Sequence, residues 1–328
     1  MQNNSNMTQD FSLWCDFIER RFLEQDFGAL IDAARFVGAT SNPSIFANAI
    51  TNSSAYTEDI ARLRTKPNIT PKVLYETLAI EDIKQAAKLL HKLYVANKDY
   101  GLISIEIDPF LSDDIEASIA EGRRLYESIG YENVMIKVPA TKAGYEVMGT
   151  LFREGIHINA TLVFSQQQAR ECAQILDCNA KTDARAVISV FVSRFDGLLP
   201  PLKDSKPQLG ILNAMACYDE IESLQNPRIR TLFASTGAKL KGLPKDYYIT
   251  NLVASHSVNT APLETILAFL QEPKERTIEW LSGKEALRAI HHIDLGNYTL
   301  ESMQRKLFSD GVAAFKEAFG NLLASLSS

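Results

Sequence analysis

Lys137 sits inside the run "NVMIKVP", flanked by methionine, isoleucine and valine. A charge in such a segment is desolvated, and a lysine amine is a nucleophile only in its neutral form, which desolvation favours. Side chains alternate between the two faces of a strand, so the neighbours can be sorted by parity. Val134, Ile136 and Val138 share one face; Met135 and Lys137 share the other. In "LISIEID", Ser104, Glu106 and Asp108 stand opposite Ile103, Ile105 and Ile107. In "INATLVF", His157, Asn159 and Thr161 stand opposite Ile158, Ala160 and Leu162. "GATSN" adds Gly38, Thr40 and Asn42, "AVISVF" adds Val187, Ser189 and Phe191, and "LWCDFI" adds Trp14, Asp16 and Ile18. With the apolar sets turned outward, six strands aim a lysine, three carboxylates, two asparagines and several hydroxyls at one axis.

That set suits amine catalysis on a carbonyl. A neutral lysine adds to a ketone, loss of water leaves an iminium ion, and the iminium accepts the electrons of a carbon–carbon bond one position away, giving an enamine. Two carboxylates on different strands divide the proton transfers: one acts on the hydroxyl whose carbon–carbon bond breaks, the other works through a water as the imine forms and hydrolyses. Amides and hydroxyls orient the hydroxyls of a sugar. Each member alone has a plainer reading. Glu106 and Asp16 could be ion-pair partners, Asn42 a turn residue before Pro43, and Asn159 a satisfied core amide. His157 and Cys15 are read as core packing.

The elements that must hold these residues follow from the pattern. Strands are expected at "SLWCDFI", "FVGATS", "GLISIEI", "NVMIKVP", "IHINATLVF", "AVISVFV", "RTLFAS" and "YYITNLV". Between them, Ile83, Ala86, Ala87, Leu90 and Tyr94 keep the spacing of a helix buried on one face. "TAPLETILAFL" repeats that spacing with Leu263, Ile266, Leu267 and Leu270, and Thr260 is the expected N-cap before Pro262. Strands alternating with helices imply parallel pairing through crossovers. Eight of them in 328 residues predict an α/β fold, a single (β/α)8 TIM barrel whose usual length is about 250 residues plus insertions. The extra helices are placed between strands two and three, over Ala47 to Tyr100, and at the C-terminus after Thr277. With no linker or repeat, residues 1–328 read as one domain.

Composition narrows the partners. A net charge of −6 without a long basic run disfavours nucleic acid. The start "MQNNSNMTQDF" lacks a secretory pattern, and no apolar segment is long enough to span a bilayer, so the expected location is cytoplasmic. Cys15, Cys172, Cys178 and Cys217 form no CxxC pair and fit reduced, mostly buried thiols.

In order and spacing, "GATSNPSIF", "VMIKVPAT", "INATLVFS", "ISVFVSRFDG" and "ASTGAK" resemble the signature blocks of the transaldolase family, from Trp14 to about Asn259. The resemblance implies transfer of a dihydroxyacetone unit from fructose 6-phosphate or sedoheptulose 7-phosphate to an aldose phosphate in the non-oxidative pentose phosphate pathway, with no cofactor and no metal. By position, Lys137 resembles the Schiff-base lysine, Asp16 the acid/base for carbon–carbon cleavage, Glu106 the carboxylate acting through the catalytic water, and Thr161 that water's partner. Asn42, Asn159 and Ser189 resemble the residues holding the dihydroxyacetone moiety, with Thr40 and Phe191 around them. Arg194 corresponds to the phosphate arginine, for which a loop salt bridge is the plainer alternative. The second arginine of many family members has no counterpart in "ASTGAKLKG"; Ser235 and Lys239, with backbone N–H groups near Gly237, take that place. The N-terminal segment "LWCDFIERRFLEQDFGALI" resembles a divergent branch that keeps Trp14 and Asp16. A related Schiff-base aldolase, or a sugar-phosphate-binding barrel without catalysis, would share the fold. The expected assembly is a monomer or homodimer.

Overall fold

The computed structural model describes residues 10–200, 207–271 and 275–327; the first nine residues, part of the stretch read above as lacking a secretory pattern, lie outside the described residues. The strands β1 (Ser12–Cys15), β2 (Gly38–Thr40), β3 (Ile103–Glu106), β4 (Val134–Pro139), β5 (His157–Val163), β6 (Ala186–Phe191), β7 (Ile229–Ala234) and β8 (Ser257–Ala261) form a closed parallel barrel in sequence order. β1 pairs with both β2 and β8, so the sheet has no open edge. Every strand residue is buried, as expected where helices cover one face and the barrel fills the other. The fold class and the first seven strands agree with the sequence pattern.

Helix starts are written in local chemistry. Asn42 with Pro43 opens Pro43–Asn52, and Thr70 with Pro71 opens Pro71–Ala96. Thr141 and Ser165 likewise accept the third amide of the helices Lys142–Arg153 and Gln166–Cys178. Ile83, Ala86, Ala87, Leu90 and Tyr94 are all buried on the Pro71–Ala96 helix. Further helices lie between β2 and β3, Pro43–Asn52, Thr57–Arg64 and Pro71–Ala96, and toward the C-terminus, Gly283–Ile290 and Leu300–Leu326. Gly38 is required by a close approach, because a Cβ there would lie 2.5 Å from the Trp14 indole nitrogen.

The eighth strand is not where the sequence pattern placed it. "YYITN" is a short helix, Tyr247–Asn251, and β8 is the polar segment "SVNTA". The helix is buried on every side, so its aromatic and β-branched content imitates a buried strand. Tyr248 donates to Asp196 Oδ2 at 3.0 Å and Tyr247 to the Pro207 carbonyl at 2.8 Å, which holds it against the loop after β6. Thr260 consequently lies in β8 rather than capping a helix; Leu263–Gln271 follows it, with the Pro262 carbonyl accepting from Thr265 and Ile266.

Polar groups at the N-terminal end of the barrel are committed to structure. Arg230, 5 % exposed, donates to the Asp10 and Ser257 carbonyls and to Ser12 Oγ, tying β7 to β1 and β8. His157 pairs with the Tyr94 hydroxyl at 2.9 Å and accepts from the Arg185 amide at 2.7 Å, which makes it a core histidine. Cys15, Cys172 and Cys217 are buried and Cys178 is exposed.

Candidate active site

Strand register assembles the inner residues near the C-terminal end. Glu106 closes β3 and stands opposite Lys137 on β4, which in turn stands opposite Asn159 on β5. Thr161 pairs with Pro139 one step above, and Thr40 pairs with Ser104 on the other side. The period of two that sorted the sequence thus delivers a lysine, a carboxylate and an amide on three adjacent strands. Lys137 is 5 % exposed. Its Nζ donates to the Ser41 carbonyl at 3.1 Å and lies 3.7 Å from Glu106 Oε2.

Burial pushes the Glu106 carboxyl from an ordinary 4.5 up to about 7, against the pull of the nearby Lys137 charge. It can therefore hold or release a proton near neutrality. Asp16, just beyond β1 and partly exposed, is also raised by burial, with Lys137 and Lys239 opposing the rise. Those opposing charges place Asp16 within electrostatic reach of both lysines. Glu106 Oε2 and Thr161 Oγ1 are buried atoms without a hydrogen-bond partner among the described residues.

A chain of side-chain bonds crosses the barrel floor beneath the lysine. Thr40 and Ser104 hydroxyls lie 2.7 Å apart, Asn159 Nδ2 donates to Ser104 Oγ at 3.1 Å, and Ser189 Oγ donates to Asn159 Oδ1 at 2.7 Å. Asn159 is accordingly a well-anchored amide with one N–H still uncommitted by these bonds. Asn42 spends Oδ1 on the Ile45 amide at 3.0 Å, capping its helix, while that bond leaves Nδ2 unused. Phe191 packs against Phe164 with ring centroids 5.1 Å apart.

At the rim, the Arg194 guanidinium lies over the Phe191 ring at 4.9 Å and makes no ion pair among the described residues. The loop salt bridge considered from sequence is not found among the described residues. Burial lowers its pKa, with Asp310 on the Leu300–Leu326 helix opposing. Ser193 Oγ and Ser235 Oγ lie 3.1 Å apart, joining the loops after β6 and β7 and bringing Ser235 to the same rim. Ser235 adopts φ 57°, a left-handed conformation uncommon for serine. Lys239 is exposed in the same loop.

Two residues leave the expected inner or outer sets. Asp108 lies past the end of β3, caps the turn Pro109–Leu111 and pairs with Lys72 at 2.6 Å, so it belongs to a separate cluster with Glu121. Leu162 adopts φ 59° where the β5–β6 register slips, and a Cβ added to Gly311 would meet its Cδ2 at 3.0 Å. It therefore reaches the C-terminal helix instead of following the outward set. Three contributors had no site assignment from sequence: the Ser41 carbonyl, Ser104, and Phe315, whose ring centroid is 5.8 Å from Lys137 Nζ. Strand parity already turned Ser104 inward; a backbone carbonyl and a residue on a distant helix carry no such signal.

Comparison with known proteins finds relatives along nearly the whole chain. A family model described as transaldolase/fructose-6-phosphate aldolase matches residues 13–326. The transaldolase of Helicobacter pylori strain P12 is 49 % identical over 319 residues, covering 97 % of this chain and 99 % of its own. The transaldolase of Campylobacter jejuni strain RM1221 is 45 % identical over 333 residues, covering 97 % and 100 %. A solved structure of L-ribulose 3-epimerase covers 98 % of this chain at a TM-score of 0.34 and 10 % identity, too distant to inform the site. With the family match spanning nearly the whole barrel, the chain belongs to the transaldolase/fructose-6-phosphate aldolase family of enzymes.

Proposed function

We propose that the protein transfers a dihydroxyacetone unit from fructose 6-phosphate or sedoheptulose 7-phosphate to glyceraldehyde 3-phosphate or erythrose 4-phosphate through a Schiff base on Lys137. The observation that carries this reading is a buried amine 3.7 Å from a carboxylate that titrates near neutrality. Neutral Lys137 adds through Nζ to the ketose carbonyl carbon, and the carbinolamine expels water to give the iminium ion. Glu106 gives and takes the protons of this exchange through a water shared with Thr161; the unpartnered oxygens of both residues support that role. Asp16 then takes the proton of the hydroxyl beside the scissile bond. The bond's electrons pass into the iminium, an aldose phosphate leaves, and an enamine remains. The acceptor aldehyde is attacked by the enamine carbon, Asp16 returns its proton to the new hydroxyl, and hydrolysis of the iminium frees the product ketose and the lysine.

Asn42, Asn159 and Ser189 orient the dihydroxyacetone hydroxyls, with Thr40 and Phe191 forming the surrounding wall. Arg194 clamps the phosphate, assisted by Ser235 and Lys239. The proposal includes a cytoplasmic enzyme of one domain, monomeric or homodimeric, without cofactor, metal, nucleic-acid or membrane partner. Among the described residues no helix is long and apolar enough to cross a membrane. The test is product analysis with fructose 6-phosphate and erythrose 4-phosphate. Equal amounts of sedoheptulose 7-phosphate and glyceraldehyde 3-phosphate are expected; free dihydroxyacetone as the main product would instead assign a simple aldolase.

A further inference from the structure

We infer that Phe315 is a further residue of this site: its ring roofs the Schiff base and keeps water from the enamine, so that the three-carbon unit persists until an aldehyde arrives. The inference rests on the Schiff-base reading above. Phe315 is 5 % exposed, and its ring centroid lies 5.8 Å from Lys137 Nζ. It belongs to a stripe of residues four apart, Leu307, Gly311, Phe315 and Phe319, all buried on one face of Leu300–Leu326. That spacing lays the helix along the barrel mouth.

The helix is held close by Gly311. A Cβ there would meet Leu162 Cδ2 at 3.0 Å, Arg194 Nη1 at 3.5 Å and Phe164 Cε2 at 3.6 Å. It is anchored on both sides of Phe315: Gln304 donates to Asn213 Oδ1 at 3.0 Å, and the Phe319 ring packs edge-on against Tyr75 at 5.2 Å. Phe315 is thus a fixed wall, and its apolar ring is set within the distance at which an aromatic face interacts with a cation. The nitrogen that bears positive charge in the iminium is the same Nζ.

The enamine has two fates, and a wall of this kind separates them. In transfer, its carbon forms a bond to the acceptor carbonyl, whose oxygen takes a proton. In loss, the same carbon takes a proton instead, the resulting iminium adds water at the C=N carbon, and the C–N bond breaks to release dihydroxyacetone and the free amine. Both fates end in hydrolysis of an iminium, but only loss begins with a proton delivered in place of an aldehyde. Water held off the enamine therefore favours transfer.

The experiment compares the unsubstituted protein with Phe315→Ala and Phe315→Leu, using fructose 6-phosphate and erythrose 4-phosphate. The readout is free dihydroxyacetone relative to sedoheptulose 7-phosphate, a ratio that a general loss of active protein leaves unchanged. Phe315→Ala is expected to raise the ratio about tenfold, and Phe315→Leu, which retains apolar bulk, to bring it most of the way back. An unchanged ratio in Phe315→Ala, or one as high in Phe315→Leu, overturns the assignment. Borohydride trapping on Lys137 in the unsubstituted protein keeps the two readings apart: absence of the adduct refutes the Schiff base itself and this inference with it, whereas an adduct with an unchanged ratio refutes only the role of Phe315.

Discussion

Replacing Glu106 by glutamine should make the protein more stable above neutral pH while removing the carboxylate that the mechanism uses. The native carboxyl is raised from 4.5 to about 7 by burial. Between those values the folded chain holds a proton that the unfolded chain has released, so stability falls as pH rises through this window. The penalty is absent below the unfolded value and complete above the folded one. At about 1.4 kcal/mol per pH unit, the climb from 4.5 to about 7 corresponds to about 3 kcal/mol. That figure already contains the attraction of Lys137, since the value near 7 is reached against it. Glu106 is 8 % exposed, so solvent offers little screening. Glutamine stands in for the protonated acid and escapes the penalty. Urea unfolding of both proteins from about pH 4.5 to about pH 8 should give a difference that starts near zero and grows to about 3 kcal/mol in favour of Glu106→Gln. A difference independent of pH would refute the reasoning, because it would mean that burial does not resist ionisation of this carboxyl.

Three other outcomes follow from the same geometry. Arg194→Ala should raise KM for phosphorylated donors about ten- to hundredfold, in line with lost charged hydrogen bonds of about 1.5–3 kcal/mol, with a smaller effect on kcat; steady-state kinetics would read the split. Asp16→Asn should still form the borohydride-trapped adduct but slow release of the aldose phosphate about 10²- to 10⁴-fold, and loss of adduct formation to the same extent would count against the assigned step. Gly38→Ala should cost about 1–3 kcal/mol, seen as a lowered thermal midpoint, because its Cβ would lie 2.5 Å from a Trp14 indole that is itself fully buried.

What could be read from sequence was what regular backbone geometry controls. Alternation along "NVMIKVP" and "LISIEID" turned Lys137 and Glu106 to one side, and the barrel register sets them opposite each other. The helical spacing of Ile83, Ala86, Ala87, Leu90 and Tyr94 corresponds to a buried face. Errors arose where that regularity stops. β8 is rich in polar residues because Ser257 and Asn259 are buried within the barrel, whereas Tyr247–Asn251 is buried all round and so has no polar face to reveal a helix. Asp108 left the inner set because β3 ends two residues earlier, and Leu162 left the outer set at a left-handed backbone angle. The contact from Ser41 to Lys137 uses a main-chain carbonyl, which any residue type possesses. Phe315 arrives from a helix far along the chain, and only the folded structure brings its ring to Lys137.

The central claim is that Lys137 becomes covalently bound to substrate, and it is tested most directly by incubating the protein with fructose 6-phosphate, reducing with borohydride and mapping the modified peptide by mass spectrometry. The account predicts one three-carbon adduct, on Lys137, absent from Lys137→Ala although that variant folds. Unmodified Lys137 in a protein that still binds and turns over the sugar would contradict it.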